Sequence, residues 1–325
     1  MDGTRPQVTV VMAVYKRAQF LREAIDSVLA QTFKDWELIL VEDGSHVAEA
    51  IANEYGGRVR YVWQEHQGVS RARNLGAAMG SAPWIAFLDD DDLWLPHKLE
   101  RQLWAVESTP EVALVHTDHL FRHDDGSERP GPRRTPAADV PSGWVSRALF
   151  LENFIITSST LVRRQAFELV GGFDAELRLV EDYDLWIRIS RRFPVTFIPE
   201  RLTIYRVHDA NMTRQGDLRD ALASVQALHG LLAKDPGLRA AVGRDAVALR
   251  FYRTHAYSGY THYYRGQFAT ARRHLLTAWR WKPSDLRLLL MAGFCALGPR
   301  GRDAARAVRR RLGSTPAPPA EHEGA

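Results

Sequence analysis

Short apolar runs of strand length alternate with segments of helical periodicity through the first 90 residues of the chain. The predicted strands are 8–14, 38–41, 59–63 and 84–88, and the predicted helix 70–79 has Ser70 as its N-cap. Strands joined by helical crossovers form a parallel, doubly wound α/β sheet, in which ligands bind beyond the carboxyl ends of the strands. The last residues of each predicted strand are therefore the first candidates for a functional site.

The pattern becomes mixed after residue 88. The predicted helices are 96–108, 164–170 and 182–192, and the predicted strands are 112–121, 155–162, 195–198 and 202–207. Residues 123–143 are rich in Pro, Gly, Asp and Arg, and we interpret them as a mobile surface loop.

From about residue 215 the sequence is helical throughout. Residues 256–283 resemble one tetratricopeptide unit, in which two helices meet at Gly266 and Pro283 closes the second. A stable array of such units needs about three repeats, so a single helical hairpin is the alternative. We predict a first domain over residues 1–214, a helical region over 215–312 and a disordered tail over 313–325.

The charge of the chain differs between its two parts. Residues 1–200 carry 22 basic and 30 acidic side chains, a net charge of −8, whereas residues 201–325 carry 21 and 9, a net charge of +12.

The single cysteine, Cys295, excludes an intramolecular disulfide and favours a reducing compartment. The start of the sequence, MDGTRPQ, lacks the features of a signal peptide, and the apolar stretch 288–297 is too short to cross a bilayer. These features predict a cytoplasmic protein.

Four consecutive carboxylates, Asp89 to Asp92, directly follow an apolar strand. Like charges this close raise one another's pKa, so the run is unfavourable unless cations or hydrogen-bond donors neutralise it. Mn²⁺ or Mg²⁺ fits such a site, because hard cations take oxygen ligands and often share carboxylates with substrate phosphates. Glu42 and Asp43 end the second strand at the same predicted edge. Considered separately, a solvated acidic turn and an ordinary Asp-Gly turn are the alternatives.

Seven sequence blocks carry a family resemblance, and they occur in the family's order: VTVVMAVY (8–15), LVEDGS (40–45), GVSRARNLG (68–76), FLDDDD (87–92), GGFD (171–174), EDYDLW (181–186) and YRVH (205–208). Over about residues 6–212 the chain resembles the family 2 glycosyltransferases with the GT-A fold. The resemblance implies transfer of a sugar, with inversion, from a nucleoside-diphosphate sugar to an acceptor hydroxyl in cell-surface polysaccharide or glycoconjugate synthesis. A uridine donor is favoured, with thymidine and guanosine as alternatives.

The resemblance also implies roles for single residues at the donor. The implied donor-binding residues are Ala13, Tyr15, Asp43, Arg71, Asp89 and Asp90. Asp43 would accept a hydrogen bond from the base, against which Tyr15 would lie, and Asp89 would bind the ribose. Asp90 occupies the variable position of the D-x-D-D pattern and has the least defined role.

The implied metal ligand is Asp91, and His208 is either a second ligand, a diphosphate contact or a structural histidine. Arg71 would approach the diphosphate, although a surface cation on a helix is the alternative for it. Asn74 would hold the loop instead.

On the acceptor side, the resemblance assigns Asp182 as the base that deprotonates the acceptor hydroxyl. The positive end of the predicted helix would help to keep Asp182 ionised, and Glu181 would orient the acceptor or Asp182 itself. Trp186 and Trp144 would stack on a sugar, with a core or lid position as the alternative for each.

Other classes lack their motifs in this sequence. Neither the Gly-x-Gly-x-x-Gly of a nicotinamide-dependent oxidoreductase nor the Gly-x-x-x-x-Gly-Lys-[Ser/Thr] of a P-loop NTPase occurs. A sugar nucleotidyltransferase is one alternative, but it needs a glycine-rich loop after the first strand. A helical-repeat binding protein with a degenerate transferase domain is the other, and the intact Asp89, Asp91 and Asp182 argue against it. The absence of a Gln-x-x-Arg-Trp motif argues against a polymerising synthase.

The positive charge near the end of the sequence suggests where the protein binds its acceptor. The apolar stretch 288–297 precedes Arg300, Arg302, Arg306, Arg309, Arg310 and Arg311. An apolar segment beside an arginine-rich helix suits the surface of an anionic membrane, where lipid-linked acceptors are found. A solvated helix with a disordered tail is the alternative. We expect a carbohydrate or lipid-linked acceptor, peripheral contact with the inner face of the cell membrane and no nucleic acid partner.

Overall fold

The computed structural model describes residues 5–130, 139–208 and 218–301. The chain divides into two compact units, Met1–Asn211 and Met212–Ala325. The predicted tail 313–325, the arginine-rich residues 302–311 and part of the predicted surface loop, 131–138, lie outside the described residues.

The strands are β1 Val8–Val14, β2 Trp36–Asp43, β3 Arg60–Gln64, β4 Trp84–Asp89, β5 Leu93–Trp94, β6 Leu114–Arg122, β7 Glu128–Pro130, β8 Thr160–Arg163 and β9 Val195–Arg206. The helices are α1 Leu21–Leu29, α2 Glu49–Glu54, α3 Val69–Met79, α4 Lys98–Glu107, α5 Ser146–Leu151, α6 Arg164–Leu169, α7 Glu181–Ser190, α8 Leu218–Lys234, α9 Pro236–Val242, α10 Arg244–Tyr264, α11 Phe268–Trp281 and α12 Leu286–Ala296.

Within the described residues the strands form one mixed, mostly parallel sheet. Its order is β3-β2-β1-β4-β8-β6-β9-β5, with β7 paired to β6. Strands β1 to β4 run parallel, β9 is parallel to β6, and β8 is antiparallel to both β4 and β6. The prediction of a mostly parallel α/β sheet flanked by helices and followed by a helical region is confirmed.

Helices cover both faces of the first strands, which explains why these strands are apolar runs and not alternating sequences. Val10 and Met12 of β1 pack in one cluster with Ile25 of α1. On the other face, Ile39 and Val41 of β2 pack with Ala72 of α3. The two-sided burial fixes the register of the strands and hence the positions of their last residues.

Three local predictions are corrected by the structure. Helix α3 begins at Val69 with Gly68 at its N-cap, so Ser70 is not the cap, and its hydroxyl is buried without a hydrogen-bond partner among the described residues. The predicted strands 195–198 and 202–207 are one strand, β9, whose pairing with β6 shifts register around Pro199. Part of the predicted surface loop forms β7, which pairs with β6 across a turn at Gly126.

The second unit is built from helices α8 to α12. Helices α10 and α11 meet at Gly266 (φ 77°), which fits both the tetratricopeptide-like unit and the single helical hairpin considered for residues 256–283. Gly259 of α10 lies against Leu275 of α11 so closely that a Cβ atom would come within 2.7 Å of it. None of the described helices is both long and apolar enough to cross a membrane.

Gly76 allows α3 to lie directly on the sheet. A Cβ atom at this position would come within 2.5 Å of a Val11 methyl group and 3.2 Å of a Val41 methyl group. Both valines are buried in strands that have helices on either side, so neither can move away easily.

We therefore expect Gly76→Ala to destabilise the protein by about 1–3 kcal/mol, because it overpacks the contact between helix and sheet. Gly57→Ala is the matched control, since a Cβ atom there meets nothing within 4 Å. Urea unfolding of both variants checks the prediction, and equal stability of the two would contradict it.

Candidate active site

The candidate site lies where several strands end side by side. Ala13 of β1 pairs with Asp89 of β4, and Val14 of β1 pairs with Glu42 of β2. Strand β9 runs in the same direction and ends at Arg206, two residues before His208. The prediction that the acidic residues after β2 and β4 share one edge of the sheet is confirmed.

Two arginines neutralise part of the acidic run. The Arg73 guanidinium donates a hydrogen bond of 2.5 Å to Asp89. The Arg17 guanidinium donates one of 2.6 Å to Asp91 and lies 2.9 Å from Asp90. The chain itself thus supplies some of the positive charge that four adjacent carboxylates require.

Burial favours the protonated, neutral form of two other carboxyl groups of the run, Asp90 and Asp92. Asp92 is fully buried and accepts hydrogen bonds from the Ser158 hydroxyl (2.5 Å) and the Arg206 backbone amide (3.0 Å). Burial raises the pKa of Asp92 well above its usual range. Burial also raises the pKa of Asp90 to about 8, although Arg17 opposes the shift. Carboxylates in this condition favour the approach of a cation.

Asp91 and His208 form a pair that fits a divalent metal. His208 Nε2 lies 3.1 Å from Asp91 Oδ2, a separation at which one cation with bonds of about 2.1 Å contacts both atoms. Within the part of the chain that the structure describes, no group of three or more His, Cys, Asp or Glu is arranged to hold a metal. With only this pair among the described residues, a bound cation would need further oxygen ligands from elsewhere.

Asp182 lies in the first turn of α7. The helix follows Val180, a β-branched residue in the left-handed conformation (φ 59°), which is strained and common at functional sites. One Asp182 oxygen accepts a hydrogen bond from the Tyr183 backbone amide (2.6 Å), and the other accepts a long one from the Thr157 hydroxyl (3.3 Å).

Several groups act on the ionisation of Asp182. Burial raises the pKa of Asp182 to about 7, the charge of Glu181 acts in the same direction, and Arg73 opposes both. The expectation that the helix terminus helps to keep Asp182 ionised stays a prediction. A carboxyl group with a pKa near 7 is suited to accept a proton at neutral pH.

Arg73 connects the acidic run to the start of α7. Its guanidinium donates to Asp89 and, at 2.8 Å, to Glu181. Burial lowers the pKa of Arg73, but the charges of Asp89 and Glu181 outweigh burial and leave the pKa raised. Glu181, expected to orient the acceptor or Asp182, thus has its carboxylate bound to a buried arginine.

Arg71 and Arg73 lie on different faces of α3. Arg71 is exposed and forms no ion pair with any residue that the structure describes, whereas Arg73 shares the buried face with Ala72 and Gly76. The structure therefore does not bring Arg71 to the acidic run. The small residues Ala72, Gly76 and Ala77 mark the buried face of α3, and this pattern in the sequence could have indicated that Arg73 points inward. Asn74 holds the backbone of Phe173 through two hydrogen bonds, as expected for a residue that fixes a loop.

Tyr15 and Asp43 lie beside the loop that follows β3. The Tyr15 ring, 36% exposed, stacks on the His66 ring with centroids 4.2 Å apart. The Asp43 carboxylate accepts hydrogen bonds from the backbone amides of Gln67 (2.8 Å) and Gly68 (2.9 Å), and His66 Nδ1 lies 2.8 Å away. Asp43 therefore anchors this loop. The stacked rings of Tyr15 and His66 form a flat aromatic surface, and the sequence alone did not indicate the part that His66 plays in it.

The two candidate tryptophans have opposite environments. Trp186 is fully buried (0% exposed) and packs edge-on against Phe173, so its prediction as a sugar-stacking residue is wrong. It lies on the inward face of α7, together with Leu185 and Ile189. Trp144 is 68% exposed, which excludes the core position considered for it.

Comparison with known proteins identifies the family. The chain matches the model described as Glycosyl transferase family 2 over residues 9–170. An uncharacterized glycosyltransferase of Rickettsia typhi is 31% identical over 218 residues, 64% of this chain and 66% of that relative. One of Rickettsia felis is 30% identical over 62% of this chain and 34% of its own length. The chain spans about two thirds or less of these curated relatives. It belongs to glycosyltransferase family 2, whose members are EC 2.4 enzymes.

Solved structures agree on the fold. S. aureus TarS 1–349 in complex with UDP-GlcNAc aligns with a TM-score of 0.66 at 12% identity, over 96% of this chain and 93% of that one. Mannosyltransferase PcManGT from Pyrobaculum calidifontis, in complex with GDP-Man and Mn²⁺, aligns with a TM-score of 0.57 at 17% identity, over 96% and 89%. At these identities the likeness establishes the GT-A-like fold.

The raised pKa of Asp182 makes a prediction about stability. In the unfolded chain an aspartate has a pKa of about 3.9, whereas burial raises the pKa of Asp182 to about 7 in the folded protein. Ionisation therefore favours unfolding above pH 4, increasingly up to pH 7 and by a constant amount beyond it. We expect Asp182→Asn to raise the melting temperature by several degrees at pH 8 and hardly at all at pH 4.

Thermal melts of wild type and Asp182→Asn between pH 4 and pH 8 check this expectation. Glu176→Gln is the control, because Glu176 is an exposed acid in the same loop region whose change should have little effect at any pH. A gain from Asp182→Asn that does not grow with pH would contradict the assigned pKa.

Proposed function

We propose that this protein transfers a sugar from a nucleoside-diphosphate sugar to an acceptor hydroxyl, with inversion at the anomeric carbon and with a divalent metal. The observation that carries the proposal is one hydrogen-bonded chain, Asp89 to Arg73 to Glu181. It joins the proposed donor side to the turn of α7 that holds Asp182, a carboxyl group with a pKa of about 7.

On the donor side, Asp89 binds the ribose and the surface of Tyr15 and His66 receives the base. A UDP-sugar is the favoured donor. The TarS structures in complex with UDP and with UDP-GlcNAc support this choice, while PcManGT, solved with GDP-Man, keeps guanosine as the alternative. Ala13 lines the end of β1 beside Asp89.

Asp91 and His208 would hold the metal, for which Mn²⁺ is favoured over Mg²⁺ because an imidazole nitrogen would be one of the two ligands. The presence of Mn²⁺ in the PcManGT complex supports the assignment. When bound, the metal supplies positive charge that stabilises the leaving diphosphate.

Asp182 accepts the proton of the acceptor hydroxyl while the hydroxyl oxygen forms a bond to the anomeric carbon. The bond from that carbon to the diphosphate oxygen breaks in the same step, so attack from the opposite side inverts the configuration. Arg73 holds Glu181 beside Asp182, and the ionised base is thereby kept near a compensating cation.

Calorimetric titration of UDP-, dTDP- and GDP-sugars with Mn²⁺, followed by acceptor trials with the best donor, tests the proposal. We expect Asp182→Asn to bind the donor about as well as wild type and to lower turnover by about 10²–10⁴-fold, the usual contribution of a general base. Asp89→Asn should weaken donor binding instead. Failure of every nucleotide sugar to bind, or full turnover by Asp182→Asn, would refute it.

Part of the second unit exposes apolar side chains close in sequence to basic residues. Leu286 and Leu290 of α12 and Leu297 directly after it are exposed. Arg300 is exposed just beyond them, and five further arginines follow in the sequence up to residue 311. Apolar side chains beside basic ones suit an anionic lipid surface, and we propose that this surface brings the enzyme to a lipid-linked acceptor.

Flotation with liposomes tests the membrane contact. We expect the protein to float with vesicles that contain phosphatidylglycerol, less with phosphatidylcholine alone, and less at high salt. Leu290→Glu combined with Leu297→Glu should abolish flotation. Leu169→Glu, which changes an exposed leucine of the first unit, is the matched control. Equal flotation of both variants, or no flotation of wild type at any salt concentration, would contradict the proposal.

A further inference from the structure

The turn after β1 directs a cationic side chain into the acidic run. Lys16 adopts a left-handed conformation (φ 59°), which is uncommon for a residue other than glycine. Lys16 Nζ consequently lies 4.7 Å above the Tyr15 ring, outside the run, while Arg17 points into it. A local backbone strain of this kind persists only where other contacts fix it, and the two carboxylates bound to Arg17 provide those contacts.

Arg17 binds the very atom that the metal pair shares. Its Nη1 donates to Oδ2 of Asp91 at 2.6 Å, and the same Oδ2 lies 3.1 Å from His208 Nε2. A divalent cation in contact with that oxygen and that nitrogen would stand next to the guanidinium. Two cations cannot share one carboxylate oxygen at such distances without strong repulsion.

Arg17 also lies close to a second buried carboxyl group. Its Nη2 lies 2.9 Å from Asp90 Oδ1, and Asp90 is 1% exposed. The guanidinium therefore lies between two buried carboxyl groups, hydrogen-bonded to Asp91 and within ion-pair distance of Asp90. For the Arg17 guanidinium to leave Asp91, another cation must replace it there, or an anion must bind the guanidinium elsewhere.

We propose that Arg17 is a resident counter-cation which competes with the divalent metal for Asp91 when no nucleotide is bound. The metal then binds well only when the diphosphate of a donor is present to receive the displaced guanidinium. This second half of the proposal rests on the proposed function, whereas the competition itself does not.

The test measures binding of Mn²⁺ alone to the nucleotide-free protein by electron paramagnetic resonance. We expect Arg17→Gln to bind Mn²⁺ about tenfold more tightly than wild type, and Arg17→Lys, which keeps a positive charge, to return toward the wild-type affinity. Asp91→Asn added to Arg17→Gln should remove the gain. Arg22→Gln is the control, because Arg22 pairs with Glu54 on the exposed side of α1.

Loss of Arg17 leaves buried carboxyl groups without their cation and can weaken the fold, so Arg17→Gln/Asp90→Asn, which also removes one of the two acidic groups, serves as a second variant. It should also bind Mn²⁺ more tightly than wild type, with a cooperative thermal unfolding transition to show that it is folded. An affinity equal to or weaker than that of wild type in both folded variants would overturn the proposal. Because no nucleotide is present, this result is independent of whether the proposed donor binds.

Discussion

The buried guanidinium of Arg73 is the contact on which the geometry of the site depends. A charged group in the interior is tolerated only when it is paired and hydrogen-bonded, and Arg73 obtains both from Asp89 at the end of β4 and Glu181 at the start of α7. Helix α3 also holds the loop before α7, through Asn74 and the backbone of Phe173. Segments about one hundred residues apart in the sequence are thus fixed to the same helix.

The burial of Asp182 has opposite consequences for stability and for chemistry. It raises the pKa of Asp182 to about 7. At neutral pH such a group is partly ionised, and its ionised form is basic enough to accept a proton. An ionised, partly buried carboxylate destabilises the folded state, however, and Arg73 offsets only part of that effect. Strain at Val180 adds to it. Sites that carry out proton transfer commonly combine these features.

Local patterns predicted most strands and helices and the edge at which the acidic residues lie, because strand length and helical periodicity are properties of short segments. They did not predict β5, β7 or α5, and the predicted strand 155–162 is a strand only from Thr160. The pair of Asp91 and His208 followed from a resemblance that spans the whole first unit. Arg17 and Arg73 were not assigned, since each acquires its role from partners that are distant in sequence. Trp186 was misassigned for the same reason: only the packing of α7 against Phe173 shows which side of the helix faces inward.

The charges of the site also bear on how an anionic donor could enter it. Asp89 to Asp92, Glu181 and Asp182 place six carboxyl groups around two arginines, and both guanidinium groups are already bound to carboxylates. A diphosphate that approached this arrangement alone would meet a net negative charge, and its desolvation would not be repaid. Burial also raises the pKa values of Asp90, Asp91 and Asp92, and protonation of these groups reduces the repulsion. An additional cation, such as the divalent metal proposed above, would supply the attraction, and this electrostatic argument does not depend on the family resemblance.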